Sequence, residues 1–216
     1  MIFAPTLLIF DLDGTLIDSK ADLVASVNAT RSYMGKDALP EALIASYVGN
    51  GAPVLIRRAM DSDASEEQIE TALTYFIEHY NAHCLDRTVL YPGVRETLDA
   101  AKARNIALAV LTNKPVRISH VIVDGLGVGS YFFRIYGGNS FPHKKPDPVG
   151  IISLRQECGA SAAQTVMIGD SHVDIQTAIN AGVRSVGLTY GLQPESLSTT
   201  PPDLLLDRME DLIPYL

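Results

Sequence analysis

Five short apolar runs punctuate this chain, and polar residues stop each of them abruptly. Leu7 to Phe10 ends at Asp11-Leu12-Asp13-Gly14, Ile106 to Leu111 at Thr112-Asn113, and Thr165 to Ile168 at Gly169-Asp170. Ser185 to Leu188 ends at Thr189, and Leu204 to Leu206 at Asp207. Uninterrupted runs of this length read as strands buried on both faces, as in a parallel sheet covered by helices. Helical patterns separate them at Val94 to Arg104, Val116 to Leu126, Val149 to Cys158 and Val173 to Ala181, with Gly159 and Gly182 placed as C-caps of the last two. Alternation of this kind implies right-handed βαβ units and an α/β fold with a doubly wound, mainly parallel, Rossmann-like sheet. Its functional site is expected at the carboxyl ends of the strands.

The stretch from about Asp18 to Thr88 breaks the alternation and holds only helical patterns. These are Ala21 to Met34, Glu41 to Tyr47, Pro53 to Met60, and Ser65 to Cys84, where Ser65 and Gln68 form a capping box ahead of Ile69, Leu73, Phe76, Ile77 and Tyr80 on one face. The expected organisation is an α/β core of residues 1–17 and 89–216 and an inserted helical cap of residues 18–88. An insertion directly after the first strand's polar end lies over the expected site as a lid.

Charge narrows the partners. With 17 Lys+Arg against 25 Asp+Glu the formal net charge is −8, which argues against a nucleic-acid backbone or an anionic membrane surface. Met1 to Phe10 is apolar, but it has no basic flank and no small-residue cleavage site, and it runs into Asp11; it reads as a buried first strand. The two cysteines, Cys84 and Cys158, form no CxxC pair, so a reducing cytoplasm is the expected setting.

Four polar clusters follow four of the strand patterns. Asp11 and Asp13, separated by one residue, project to the same side where the first strand ends, and Gly14 frees the backbone for an immediate turn; alone, the pattern is also that of a plain Asp-Gly turn. Thr112-Asn113-Lys114 offers a hydroxyl and N–H groups at a helix start, which suit a phosphate. Lys144-Lys145-Pro146-Asp147-Pro148 holds a cation between prolines. In Gly169-Asp170-Ser171-His172-Val173-Asp174, Asp170 and Asp174 stand one helical turn apart, and Mg2+ takes such sites with one or two carboxylates, waters and a substrate phosphate.

Taken in order, these clusters resemble the motifs of the haloacid dehalogenase superfamily: Asp11-Leu12-Asp13-Gly14-Thr15, then Thr112, then Lys145, then Gly169-Asp170 with Asp174. The chain looks most like phosphoglycolate phosphatases of that superfamily, through Leu16-Ile17-Asp18-Ser19, Val48-Gly49-Asn50-Gly51-Ala52, Thr112-Asn113-Lys114-Pro115 and Gly137-Gly138-Asn139-Ser140. Asn139 departs from the aspartate often found there. The resemblance implies a Mg2+-dependent hydrolysis of a small phosphate monoester, most of all 2-phosphoglycolate, through an aspartyl-phosphate on Asp11. Asp13 is then the acid and base, Thr112 and Asn113 hold the phosphoryl oxygens, Lys145 orients Asp11, and Asp11, the Asp13 carbonyl, Asp170 and Asp174 serve the metal. Gly14 and Gly51 are expected at the substrate, and His172 near the mouth. A phosphosugar mutase, or a phosphatase for pyrophosphate, nucleotides or sugar phosphates, shares these motifs. The expected partner is a small phosphorylated metabolite, and the expected state a monomer or homodimer. His79 and His83 read as a solvated helix face, and Gly125-Leu126-Gly127-Val128-Gly129 as a helix end.

Overall fold

The computed structural model describes residues 4–216, so Met1 to Phe3 of the expected first strand lie outside the described residues. The chain runs β1 (Leu7–Phe10), β2 (Ile17–Asp18), α1 (Lys20–Tyr33), α2 (Glu41–Tyr47), α3 (Ala52–Ala59), α4 (Glu66–His83) and β3 (Val89–Leu90). It continues through α5 (Val94–Ala103), β4 (Ala107–Leu111), α6 (Val116–Gly125), β5 (Arg134–Tyr136), α7 (Val149–Cys158), β6 (Thr165–Gly169), α8 (His172–Ala181), β7 (Arg184–Leu188) and β8 (Leu204–Leu206).

Six strands form one parallel sheet in the order β5-β4-β1-β6-β7-β8. The expected α/β class and its doubly wound sheet are therefore present. β1 is central, and all four of its residues are fully buried. Its side chains alternate between two cores. Leu8 and Phe10 join Leu98 of α5 and Ile122 of α6, whereas Leu7 and Ile9 join Ile151 and Leu154 of α7 and Ala178 of α8. Burying each such side chain stabilises the fold by roughly 1.5–3 kcal/mol before chain entropy is counted. Phe10 is in register with Val110 of β4 and Ile168 of β6. The residues that follow these three strands consequently leave the sheet at one level.

Two features differ from the sequence reading. Asp18 is not the start of a purely helical stretch: Ile17 pairs with Leu90 and Asp18 with Val89 in an antiparallel ribbon of β2 and β3, so the chain leaves for the helices and returns from them side by side. β5, at the sheet edge beside β4, was hidden because its three residues begin with an exposed arginine and have no extended apolar run.

The helical segment packs through Leu23, Val27, Ile56, Phe76 and Tyr80. Its longest helix, α4, starts with the expected capping box: Gln68 N donates to Ser65 Oγ at 3.2 Å, and Ser65 N donates to Gln68 Oε1 at 2.8 Å. Ile77 departs from its neighbours on that face and is 42% exposed. Among the described residues no helix is long and apolar enough to cross a membrane.

Asp22, in the first turn of α1, staples the segment's entry to its exit. It is 1% exposed, and its Oδ2 accepts from Arg87 N at 3.0 Å, Thr88 N at 2.8 Å and Thr88 Oγ1 at 2.8 Å. Removing a buried acceptor leaves its donors unsatisfied. Asp22→Ala is expected to cost roughly 2–4 kcal/mol in urea unfolding, against little change for exposed Asp63→Ala.

Candidate active site

Asp11 and Asp13 follow β1 directly, and the chain then turns at Gly14, whose φ of +87° is open to glycine but strained for other residues. A Cβ at Gly14 would also lie 2.3 Å from Asp170 Oδ2, so both space and backbone demand glycine there. Leu12 N donates to Asp11 Oδ1 at 2.7 Å, which sets that carboxylate against its own turn.

The ends of β5 and β6 close on Asp11. Lys145 Nζ lies 2.9 Å from Asp11 Oδ1 and 2.5 Å from Asp174 Oδ1. Asp174 is fixed in turn by Ser171, whose N–H and hydroxyl donate to its Oδ2 at 3.2 and 2.7 Å in a capping box that opens α8. Among the described residues, Asp170 has no ammonium partner in its hydrogen bonds. It accepts from Thr15 Oγ1 at 3.0 Å and from the main-chain N–H groups of Leu192 and Gln193 at 2.8 and 3.3 Å.

Asp11, Asp170 and Asp174 are buried, and each offers an oxygen within 4.8 Å of the others. Burial pushes the Asp11 carboxyl up to about 6, with Lys145 pulling it down and Asp174 pushing it further up. Burial, then Asp174 and Asp11, push Asp170 up to about 8. Lys145 stays charged: burial opposes its charge, but Asp11 and Asp174 outweigh it and hold its ammonium above the usual lysine range. An oxygen-only donor set with this uncompensated charge fits a hard divalent cation.

Asp13 faces a different partner. Lys114 Nζ lies 2.8 and 3.0 Å from its two oxygens and 2.8 Å from the Tyr80 hydroxyl on α4, while Ser19 Oγ donates to Asp13 Oδ1 at 2.5 Å. Thr112 Oγ1 accepts from Lys114 N at 3.2 Å. Asn113 Nδ2 donates to the carbonyls of Gly49 and Lys145 at 2.9 and 3.1 Å, and its buried Oδ1 has no partner among the described residues. Lys144 Nζ donates to the Asn50 carbonyl at 2.5 Å.

A cavity of about 220 Å3 lies between the strand ends and the helical segment. Asp11, Asp13, Thr112, Asn113, Gly49 and Gly51 line it together with Leu55, Phe76 and Tyr80. Lys145, Asp170 and Asp174 reach it through Asp11, and Gly14 is not on its wall.

His172 is exposed and also off the wall; its N–H donates to Ser196 Oγ. His79 meets Ser26 and His83 meets Asp86, the contacts of an ordinary helix face. Asn139 Oδ1 accepts from Val116 N at the start of α6, a duty that an aspartate performs equally well. Sequence reasoning gave no role to Tyr80, Lys114 or Gln193. Of these only Lys114 carried a signal, its place in the cluster after β4.

The model of the haloacid dehalogenase-like hydrolases matches residues 8–188. A phosphoglycolate phosphatase of Pseudomonas fluorescens Pf0-1 is 40% identical over 216 residues, covering 97% of this chain and 79% of that one. One from Vibrio parahaemolyticus is 38% identical over 96% of this chain and 94% of its own. Among solved structures, a predicted phosphoglycolate phosphatase from Haemophilus somnus 129PT superposes with a TM-score of 0.93 at 34% identity, covering 98% and 97% of the two chains.

The carboxyl values carry a sign for stability. Between the ordinary 3.8 and the values of about 6 and about 8, the folded, metal-free protein holds more protons than the unfolded chain. Its stability therefore falls as pH rises across that interval and levels off above it. Because a cation binds the ionised carboxylates, its stabilising effect grows over the same range. Chelator-treated protein is expected to melt lower at about pH 8 than at about pH 6, with added MgCl2 restoring more at the higher pH; equal restoration at both counts against the site.

Proposed function

The chain belongs to the haloacid dehalogenase-like hydrolase family, and from that membership we propose that it is a Mg2+-dependent phosphatase acting on 2-phosphoglycolate, releasing glycolate and phosphate. Hydrolysis of a phosphate monoester is its reaction class. The observation that carries the reading is the meeting of Asp11, Asp13, Thr112 and Asn113 on one cavity, with Lys145 and two further carboxylates at the back of Asp11.

A phosphate ester dianion resists nucleophiles, so a site for it has to neutralise charge and align attack. Asp11 Oδ attacks phosphorus, and the bond to the leaving oxygen breaks as Asp13 gives that oxygen a proton. Water then attacks the phosphorus of the aspartyl-phosphate and passes a proton to Asp13, which restores Asp11 and releases phosphate. The Thr112 hydroxyl and Asn113 N–H hold the phosphoryl oxygens, and Lys145 offsets the charge that develops beside Asp11. Asp11, the Asp13 carbonyl and Asp170, with Asp174 beside them, would hold the metal, which would supply the positive charge that lets an anionic ester approach four carboxylates. An acid two residues after the nucleophile suits an alkoxide leaving group, which departs with a proton.

Residues 18–88 form the cap in this reading, and residues 1–17 with 89–216 the core. The cap loop supplies main-chain N–H groups at Gly49, Asn50 and Gly51 for the carboxylate of 2-phosphoglycolate; Gly49 and Gly51 border the cavity, and Gly51 caps α3 at a φ of +81°. The free cysteines Cys84 and Cys158 suit a reducing cytoplasm.

Asp11→Asn is expected to lower Mg2+-dependent phosphate release by at least about 10³-fold. Near wild-type activity would refute Asp11 as nucleophile. In a panel of phosphorylated metabolites, 2-phosphoglycolate is expected to have the highest kcat/KM. Comparable turnover across the panel removes the narrow substrate, and a rearranged sugar phosphate in place of free phosphate favours the mutase.

A further inference from the structure

Lys114 takes no part in those chemical steps, yet it is one of two buried ammonium groups at the site, with a side chain only 4% exposed. Its three hydrogen-bond contacts are the two oxygens of Asp13 and the Tyr80 hydroxyl, and its Nζ stands 4.5 Å from the Tyr80 ring centre.

Tyr80 belongs to the helical segment, not to the sheet. Its ring stacks on Phe76 with centroids 5.6 Å apart, and it is almost fully buried. Ser19, just before α1, also donates to Asp13 Oδ1. Both side chains that hold the Asp13–Lys114 pair, Ser19 and Tyr80, are thus supplied by the chain that leads into, or lies within, the helices.

We propose that Lys114, seated against Tyr80, is a positioning residue that aims the Asp13 carboxyl at the leaving oxygen. The inference rests on the reading of Asp13 as the acid. A carboxylate on a turn has two free torsions, and contact of both its oxygens with an immobilised ammonium removes that freedom. Since Lys114 is itself held from α4, Asp13 is aimed only while α4 is docked over the strand ends. Misplacing a reacting group by about 1 Å costs on the order of 10²-fold in rate.

Leaving groups separate this role from a merely structural one. Glycolate departs as a poor leaving group that requires the proton, whereas 4-nitrophenolate departs without one. The ratio kcat/KM covers the steps up to aspartyl-phosphate formation, so it isolates the half-reaction in which Asp13 donates. Lys114→Met is expected to lower kcat/KM for 2-phosphoglycolate by about 10²-fold and for 4-nitrophenyl phosphate by about tenfold or less. Tyr80→Phe keeps the ring and its packing and is expected to give the same selectivity at smaller size, about tenfold against about threefold. Lys114→Arg is expected to recover part of the loss. Equal losses on both esters from Lys114→Met and Tyr80→Phe overturn the proposal. Asp13→Asn, measured alongside, separates the failures. If it is selective while the other two variants are not, the positioning role falls and the acid remains; if it is unselective, the acid falls and the positioning role with it.

Discussion

The carboxyl end of the parallel sheet is governed by a shortage of positive charge. Four carboxylates, Asp11, Asp13, Asp170 and Asp174, stand where parallel strands end, and two buried ammonium groups face them. At an effective dielectric near 20, two like charges about 4 Å apart repel by roughly 4 kcal/mol. Lys145 spends its charge on Asp11 and Asp174, and Lys114 on Asp13. Asp170 is left with a hydroxyl and two main-chain N–H groups, and its carboxyl is accordingly the one pushed up to about 8. In the proposed reading, this local deficit is what would let a protein of net charge −8 take an anionic ester, because a divalent ion held there would reverse the sign that a phosphate meets.

Much of this was legible in the residues because strand ends in a parallel sheet are marked twice, by the halt of an apolar run and by the polar residues that follow. Asp11, Thr112 and Asp170 stand out for that reason, and the helices between them are bounded by glycines and a capping box that left little freedom. What stayed hidden was of three kinds. β2 and β3, two residues each, are too short for any period to register. The N–H groups of Leu192 and Gln193 that hold Asp170 belong to the main chain and carry no side-chain signature. The Lys114–Tyr80 contact joins residues 34 positions apart on different elements, and each alone reads as an ordinary surface cation or an ordinary core aromatic.

The helical segment is also held from the strand ends through its own backbone. Asn113 grips the Gly49 carbonyl, Lys144 the Asn50 carbonyl, and Gln193 the Ser46 and Val48 carbonyls. Asn113 and Lys144 are neighbours of Thr112 and Lys145, and Gln193 bonds Asp170 through its own N–H. Loops that line the candidate site thereby also hold the helical segment, and they do so through carbonyl groups that every residue type possesses. The grip constrains the path of the loop while leaving its side chains unspecified.

The ribbon of β2 and β3 gives that arrangement a wider meaning. The helices depart from and return to one place, with Ile17 paired to Leu90, so the sheet perceives the whole excursion as a turn between two adjacent positions. The entropic cost of closing such a loop grows only logarithmically with its length, so helices can be added, lost or replaced there at small thermodynamic expense. Inheritance can therefore act on the two portions of the chain at different tempos. In the proposed reading, the carboxylates at the strand ends would keep the reaction, while the detour between paired strands would be free to vary what that reaction is applied to.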